Sequence, residues 1–264
     1  MKRSKITILL AIVLGMTFHS CLDLEPQDQL GGKNMWTSVN DYKQFANTFY
    51  SWTRDFSSVV YDGTHSEKRS DLITYQSYNE FSRGINSIPS SDANYTDNYK
   101  HIRRTNLLLQ NAEAYAKPED IKQYIGEAYF FRAYSYFDLL QLYGDVIITK
   151  KPLDITDPEM KVKRNDRSEV VDLIIDDLNH AVENLPAFKE LTTEEEGRIS
   201  KEGAQAFLSR VALYEGTWQK SRNGNQNTQR SANLLDIAAK AARTVIDAKY
   251  GYTFRLFGTD SETK

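Results

Sequence analysis

Residues 127–146 read EAYFFRAYSYFDLLQLYGDV, and this stretch sets the class of the fold. Apolar and aromatic side chains lie on almost every side of a helix drawn through residues 129–142, so the pattern predicts a helix buried on most of its faces. Pro118 is the predicted start of this helix and Gly144 its predicted end. Because a buried arginine needs a partner, Arg132 is predicted to pair with a carboxylate or a helix-end carbonyl.

On both sides of this stretch, apolar residues recur every three or four positions, which is the spacing of one helix face. Ser38 and Ser168 precede two of these segments and are their predicted N-caps, and Pro186 is predicted to end one of them. The sequence therefore predicts an all-α fold with further helices over residues 39–50, 95–109, 168–185, 200–215 and 234–246.

Two of the predicted helices carry the same triplet of residue types at the same spacing. In a helix each triplet lies on one face. Such a repeat indicates a tetratricopeptide-like stack of helix pairs, and the alternative is a chance similarity between amphipathic helices. The repeat also predicts that the second arginine, like the first, has a buried partner. The triplets are Ala128, Arg132 and Tyr136, and Ala206, Arg210 and Tyr214.

The N-terminus has a basic flank at residues 2–5 and an apolar run at residues 6–18 that ends shortly before Cys21, the only cysteine. The run is shorter than the roughly 20 residues that span a bilayer, and it is typical of a secretory signal. A buried N-terminal helix and an ordinary free cysteine are the alternatives. The sequence predicts lipid attachment at Cys21, a signal peptide over residues 1–20, an extended tether over 21–35 and a helical domain over 36–264.

Composition and missing motifs exclude several classes of protein. The formal net charge is −3, from 33 basic and 36 acidic residues, which gives no concentrated basic face for a nucleic acid. A single cysteine and four scattered histidines provide no ligand cluster, so no metal site is predicted. The GxSxG, GxxxxGK and GxGxxG signatures are absent. We therefore predict no cofactor, no catalytic residue and no nucleic-acid partner.

Residues 127–146 resemble the hallmark segment of the SusD/RagB family of outer-membrane nutrient-binding lipoproteins. Residues 99–108, 167–178, 200–214 and 238–246 resemble, in order, the helices around that segment. The resemblance implies a non-catalytic, lipid-anchored protein of the outer membrane, exposed at the cell surface. Such a protein binds oligosaccharides or similar nutrients and delivers them to a TonB-dependent SusC-like transporter. The resemblance covers the N-terminal half of the family pattern, and the C-terminal half is predicted to be absent.

Residues 53–94 are rich in serine, asparagine, aspartate and tyrosine and show no sustained period. A loop of this length within a compact protein is usually functional or disordered. Tyrosine rings pack on the apolar faces of sugar rings, and side-chain amides hydrogen-bond their hydroxyl groups. We therefore predict that Tyr75 and Tyr78 form a stacking platform for a glycan and that Asn79 binds a hydroxyl group. Structural packing of the loop is the competing interpretation.

Two other functions compete with glycan capture. The first is a lipid-tethered helical scaffold that binds only protein partners. The second is an exported glycosidase, which needs two carboxylates that face one another. Asp176 and Asp177 are among many acidic residues in the sequence, and their position on a helix predicts solvated charges instead of a catalytic pair.

Lipid attachment at Cys21 is directly testable. Multiple acyl chains anchor a protein stably, whereas removal of the acylated residue leaves no anchor. Cys21→Ala should therefore move most of the protein from the membrane fraction to the soluble fraction, as measured by immunoblotting of fractionated cells. Ser20→Ala, which keeps the thiol, is the matched control and should stay with the membranes. Retention of Cys21→Ala on the membranes would contradict the assignment.

Overall fold

The computed structural model describes residues 35–54, 80, 83–222, 228–247 and 249–251. This part of the chain contains no β-strand, and a single isolated bridge joins Val146 to Asn165. The prediction of an all-α fold is confirmed. The α-helices are α1 (Val39–Asn47), α2 (Ala93–Glu113), α3 (Lys122–Tyr143), α4 (Arg167–Asn184), α5 (Lys201–Arg222) and α6 (Thr228–Ile246).

Each consecutive pair of helices from α2 to α6 packs together, which is the arrangement of a tetratricopeptide-like stack. Helix α3 also contacts α1, and its aromatic side chains meet those of α5, so it lies at the centre of the core. Phe131, Tyr136 and Leu140 of α3 are fully or almost fully buried. Helix α3 is apolar on nearly every side because other helices pack against it on several sides, as predicted.

The helix ends are capped largely by the residues that the sequence indicates. Ser38 caps α1, with Asp41 completing a reciprocal capping box. Helix α3 ends at Gly144, whose φ of 73° lies in the left-handed region that favours glycine. The predicted start of α3 at Pro118 is too early: Pro118–Ile121 form a short 3₁₀ turn, and the α-helix begins at Lys122.

The prediction that Ser168 caps α4 is wrong. The cap is Asp166, whose carboxylate accepts a hydrogen bond from the backbone N–H of Ser168. The carboxylate of Glu169 accepts a hydrogen bond from the backbone N–H of Asp166 at 2.9 Å and completes the capping box. A carboxylate at this position also interacts favourably with the positive end of the helix dipole. Asp166 therefore caps the helix in place of Ser168, which lies two residues later.

Helices α5 and α6 extend further into the polar segment between them than the sequence pattern predicts. Helix α5 continues to Arg222, and α6 begins at Thr228. Polar side chains are buried here because they find partners: Gln219 donates to Glu215 at 2.7 Å, and Ser231 donates to the carbonyl of Gly216 at 2.8 Å. Hydropathy alone misses such a segment, since it counts these residues as solvent-facing.

Three arginine–carboxylate pairs with a fully buried carboxylate hold the stack together. Arg132 on α3 binds Asp177 on α4 through two hydrogen bonds of 2.8 and 2.6 Å. The predicted carboxylate partner of Arg132 is confirmed, and the prediction that Asp177 is solvated is wrong, because its side chain is fully buried. Asp176 is exposed, as expected. The other two pairs are Arg198 with Glu127 and Arg167 with Glu215.

The second arginine of the repeat behaves differently. Arg210 is exposed on α5, so the prediction of a buried partner for it is wrong. Its neighbour Ala206 is exposed as well, whereas Ala128 on α3 is fully buried. The two triplets therefore face different environments, because α3 is enclosed by helices on several sides and this face of α5 is not.

The pairing of Arg132 predicts a large loss of stability when it is removed. Arg132→Ala leaves the buried carboxylate of Asp177 without its partner and should lower the free energy of unfolding by roughly 3 kcal/mol. Arg210→Ala removes the same side chain from an exposed site and should change it by less than about 0.5 kcal/mol. Urea unfolding monitored by circular dichroism measures both values. Equal losses in the two variants would contradict the assignment.

A second prediction concerns His101, whose ring stacks on Trp52 at 4.1 Å between centroids. Burial lowers the pKa of His101 to about 4 from 6.5. His101 therefore binds a proton more tightly in the unfolded chain than in the folded protein. The stability contributed by neutral His101 is lost as the pH falls from about 6.5 towards 4. In His101→Phe, stability should fall less over this window than in the wild type, as urea unfolding at pH 7 and 4.5 would measure. Parallel losses in both proteins would refute the link.

Candidate functional site

The predicted glycan-contact residues Tyr75, Tyr78 and Asn79 lie outside the described residues, as does Cys21. The structure does describe both ends of the segment that contains the loop residues. At the first end, Arg54 forms an ion pair with Asp138 of α3. At the second end, Tyr143 of α3 donates a hydrogen bond to Asp92 at 2.6 Å.

These two contacts fix the loop ends close together on one helix. Asp138 and Tyr143 are five positions apart, which corresponds to about 7.5 Å along the helix axis. Asp92 also caps α2 by accepting from the backbone N–H of Asn94. Both described ends of the segment therefore lie against the C-terminal half of α3, the helix with the most buried residues. Loops held in this way commonly carry binding residues.

A cleft of about 460 Å³ opens beside the point where this loop returns. It lies between the N-terminal half of α2 and residues 147–160, which follow α3. Its wall is mainly apolar and aromatic, and its rim carries hydroxyl and charged groups. The lining residues from α2 are Tyr95, Thr96, Tyr99, Lys100 and Arg103, and those from the facing segment are Ile147, Thr149, Lys151, Leu153, Glu159 and Met160.

The aromatic side of the cleft is built by Tyr95 and Tyr99, which lie one turn apart on α2. Their ring centroids are 4.8 Å apart. The hydroxyl of Tyr99 donates to the carbonyl of Ile147 at 2.8 Å, and burial raises the pKa of this hydroxyl. Tyr143 meets the ring of Tyr95 edge-on at 5.2 Å between centroids. The two rings are therefore held in place before any ligand arrives.

The facing wall is also fixed to the helices. The side-chain amide of Asn106 donates to the carbonyls of Thr149 and Lys151 at 3.0 and 3.3 Å. The backbone N–H of Thr149 donates to the hydroxyl of Tyr136 at 2.8 Å. Asn106 is itself oriented by Arg132, which donates to its side-chain oxygen at 2.8 Å. The position of the wall thus depends on the buried ion pair between α3 and α4.

Each basic residue on the rim of the cleft has an acidic neighbour. Lys100 pairs with Asp97 at 2.8 Å, and Lys151 pairs with Glu159 at 2.8 Å. The hydrogen bond from Lys100 lowers the pKa of Asp97, and the one to Glu159 raises the pKa of Lys151. Arg103 lies 3.8 Å from Asp154 and donates to the carbonyl of Leu153 at 3.4 Å. The cations of the rim are therefore each compensated, Lys151 by Glu159 within the lining and Lys100 and Arg103 by carboxylates next to it.

Two other cavities in the described part of the chain have no aromatic lining. A groove of about 700 Å³ lies between α4 and α6 and presents amides, carboxylates and Arg230. A smaller one of about 350 Å³ lies beside the Val146–Asn165 bridge and is lined by charged residues and Asn165. Neither cavity offers a flat aromatic surface on which a sugar ring can pack.

The sequence pattern assigned Tyr95 and Tyr99 only to the helix predicted over residues 95–109 and so did not reveal the cleft. The composition of this helix face was the signal that could have indicated a cleft. Thr96, Lys100 and Arg103 continue the strip that the two tyrosines begin. A face that packs wholly into a core does not carry two cations within three positions of each other.

No helix among the described residues is long and apolar enough to cross a membrane. The residues that the structure describes include no group of three or more histidine, cysteine, aspartate or glutamate side chains placed to hold a metal ion.

Comparison with known proteins identifies relatives of this chain. A family model described as SusD-like, "Starch-binding associating with outer membrane", matches residues 22–213. SusD-like protein P38 of Formosa agariphila is 28% identical over 235 residues, which cover 81% of this chain and 42% of the relative. SusD-like protein P2 of the same organism is 27% identical over 239 residues, 84% of this chain and 45% of that protein. The chain therefore spans less than half the length of these relatives.

Solved structures give the same result. A SusD-like protein of Bacteroides fragilis is 25% identical with a TM-score of 0.61, over 82% of this chain and 41% of that one. A laminarin-binding SusD-like protein is 27% identical with a TM-score of 0.52, over 66% of this chain and 35% of that one. The family match spans most of the helical stack described above, and the chain belongs to the SusD-like family.

Proposed function

We propose that this protein binds oligosaccharides at the outer membrane and delivers them to a TonB-dependent SusC-like transporter. The observation that carries the proposal is the match of residues 22–213 to a family described as starch-binding and associated with the outer membrane. A relative that is 27% identical is described as laminarin-binding. Attachment through a lipid on Cys21 holds the protein at the membrane, and the stacked helices offer the transporter a broad rigid surface.

The buried carboxylates of the described residues have structural partners, which supports binding over hydrolysis. A glycosidase needs two facing carboxyl groups, one of which keeps a proton at neutral pH. The buried carboxylates Glu127, Asp177 and Glu215 are each held by an arginine, and that of Glu202 accepts from the backbone N–H of Phe188. These groups stabilise the helix stack, and we assign the protein a non-catalytic function.

We place the primary glycan contacts in the loop, at Tyr75, Tyr78 and Asn79. The contacts of Arg54 with Asp138 and of Asp92 with Tyr143 support this placement, because they hold both ends of the loop against helix α3. Aromatic rings on such a loop offer a surface for the apolar face of a sugar, and the amide provides direction through hydrogen bonds.

Calorimetric titration of the mature protein with malto- and laminari-oligosaccharides tests the proposal. We expect the wild type to bind at least one series. The double variant Tyr75→Ala/Tyr78→Ala should weaken binding by roughly tenfold or more, or about 1.4 kcal/mol. Tyr61→Ala, in the same loop, is the matched control and should bind as the wild type does.

Two outcomes would count against the proposal. If the wild type binds no oligosaccharide but captures the transporter, the protein is a helical scaffold for protein partners. If the double variant melts normally and binds as the wild type does, the loop assignment is wrong. Release of shortened sugars during the titration, detected by chromatography, would instead show that the protein is an enzyme.

A further inference from the structure

We infer that the cleft between α2 and residues 147–160 is a second carbohydrate subsite, which takes one or two rings of a neutral oligosaccharide. The inference rests on the proposed function and adds to it a place and a ligand class. The volume of about 460 Å³ falls within the range of small-molecule sites, roughly 300–1,000 Å³. Tyr95 and Tyr99 provide the apolar platform, and the rim provides the polar contacts.

The rim selects a ligand that both donates and accepts hydrogen bonds. Each sugar hydroxyl group is one donor and two acceptor lone pairs. The pair Lys151–Glu159 places a donor beside an acceptor at 2.8 Å, and Lys100 and Arg103 add donors to the lining. Vicinal hydroxyl groups match this arrangement, since one accepts from the ammonium group and the other donates to the carboxylate.

The same rim disfavours two other classes of occupant. An acidic ligand would meet the carboxylate of Glu159, which lines the cleft, and the cations Lys100 and Arg103 already have Asp97 and Asp154 as neighbours outside the lining. An apolar polypeptide would cover these charges and remove them from water, which costs free energy without a compensating bond. A neutral sugar leaves the pairs partly hydrated and uses their free hydrogen-bonding capacity.

The cleft is preorganised, which lowers the entropic cost of binding. Hydrogen bonds from Tyr99 to Ile147 and from Asn106 to Thr149 and Lys151 tie the facing segment to α2. The two walls of the cleft are therefore held at a fixed separation. The position of the cleft also suits an extended ligand. Tyr95 contacts Tyr143, the residue that holds the returning end of the loop at Asp92, so the cleft adjoins that end of the loop.

The test is the dependence of affinity on oligosaccharide length. Malto- and laminari-oligosaccharides of two to seven units are titrated into the mature protein and its variants by calorimetry. Tyr95→Ala removes part of the platform, and Met160→Arg fills the cleft from a side chain that is 50% exposed. Leu213→Arg on α5 is the matched control, because it makes the same change at a side chain that is 52% exposed.

We expect the wild type to bind the longer members more tightly than the shorter ones. Tyr95→Ala and Met160→Arg should remove this gain, weakening the longest ligand by about tenfold while leaving the shortest unchanged. Leu213→Arg should match the wild type throughout. If both cleft variants melt as the wild type does and keep its full length dependence, the cleft is not a sugar subsite although the proposed function stands.

Two further outcomes would also overturn the inference. A wild type that binds no member of either series would contradict the proposed function and the subsite together. An equal loss in Leu213→Arg would show that the added charge, not the filled cleft, weakens binding. Tighter binding of oligogalacturonate than of neutral sugars, abolished by Met160→Arg, would refute the assigned ligand class.

Discussion

Arg132 is the point on which both the helix stack and the cleft depend. Its guanidinium group is buried on α3, binds Asp177 on α4 through two hydrogen bonds and donates a third to Asn106 on α2. Three consecutive helices are thus fixed at one site. Because Asn106 uses its amide to hold residues 149 and 151, the same ion pair sets the wall of the cleft. Burying such a charge is acceptable only when its partners are complete.

Much of this scaffold could be predicted from the sequence, because it follows from local rules. The apolar run of α3, its end at Gly144 and the capping role of Ser38 depend on residues close in the chain. The need of Arg132 for a partner also followed from its neighbours. The identity of the partner could not be predicted, because Asp177 lies 45 positions away in the sequence and its local sequence does not distinguish it from other acidic residues on helices. Arg210 has an equivalent local pattern, and only the packing around α5 explains its exposure.

The candidate site was less predictable for a related reason. Tyr95 and Tyr99 follow the spacing of an apolar helix face. Their position in a cleft is revealed only by the tertiary structure, which places residues 147–160 opposite them. The loop residues Tyr75, Tyr78 and Asn79 remain a prediction. The structure contributes the contacts at either end of that loop, which place Arg54 and Asp92 against α3. The binding that we propose would then depend on loops and helix edges supported by the buried helix stack.

A double-mutant cycle on Arg132 and Asp177 tests the central claim most directly. Each single change, Arg132→Met or Asp177→Leu, leaves one buried charge unpaired and should lower the free energy of unfolding by about 3–5 kcal/mol. The double variant removes both charges and fills the space with apolar atoms, so it should be more stable than either single variant. If the two losses simply add in the double variant, Arg132 and Asp177 do not act as a pair, and the account is contradicted.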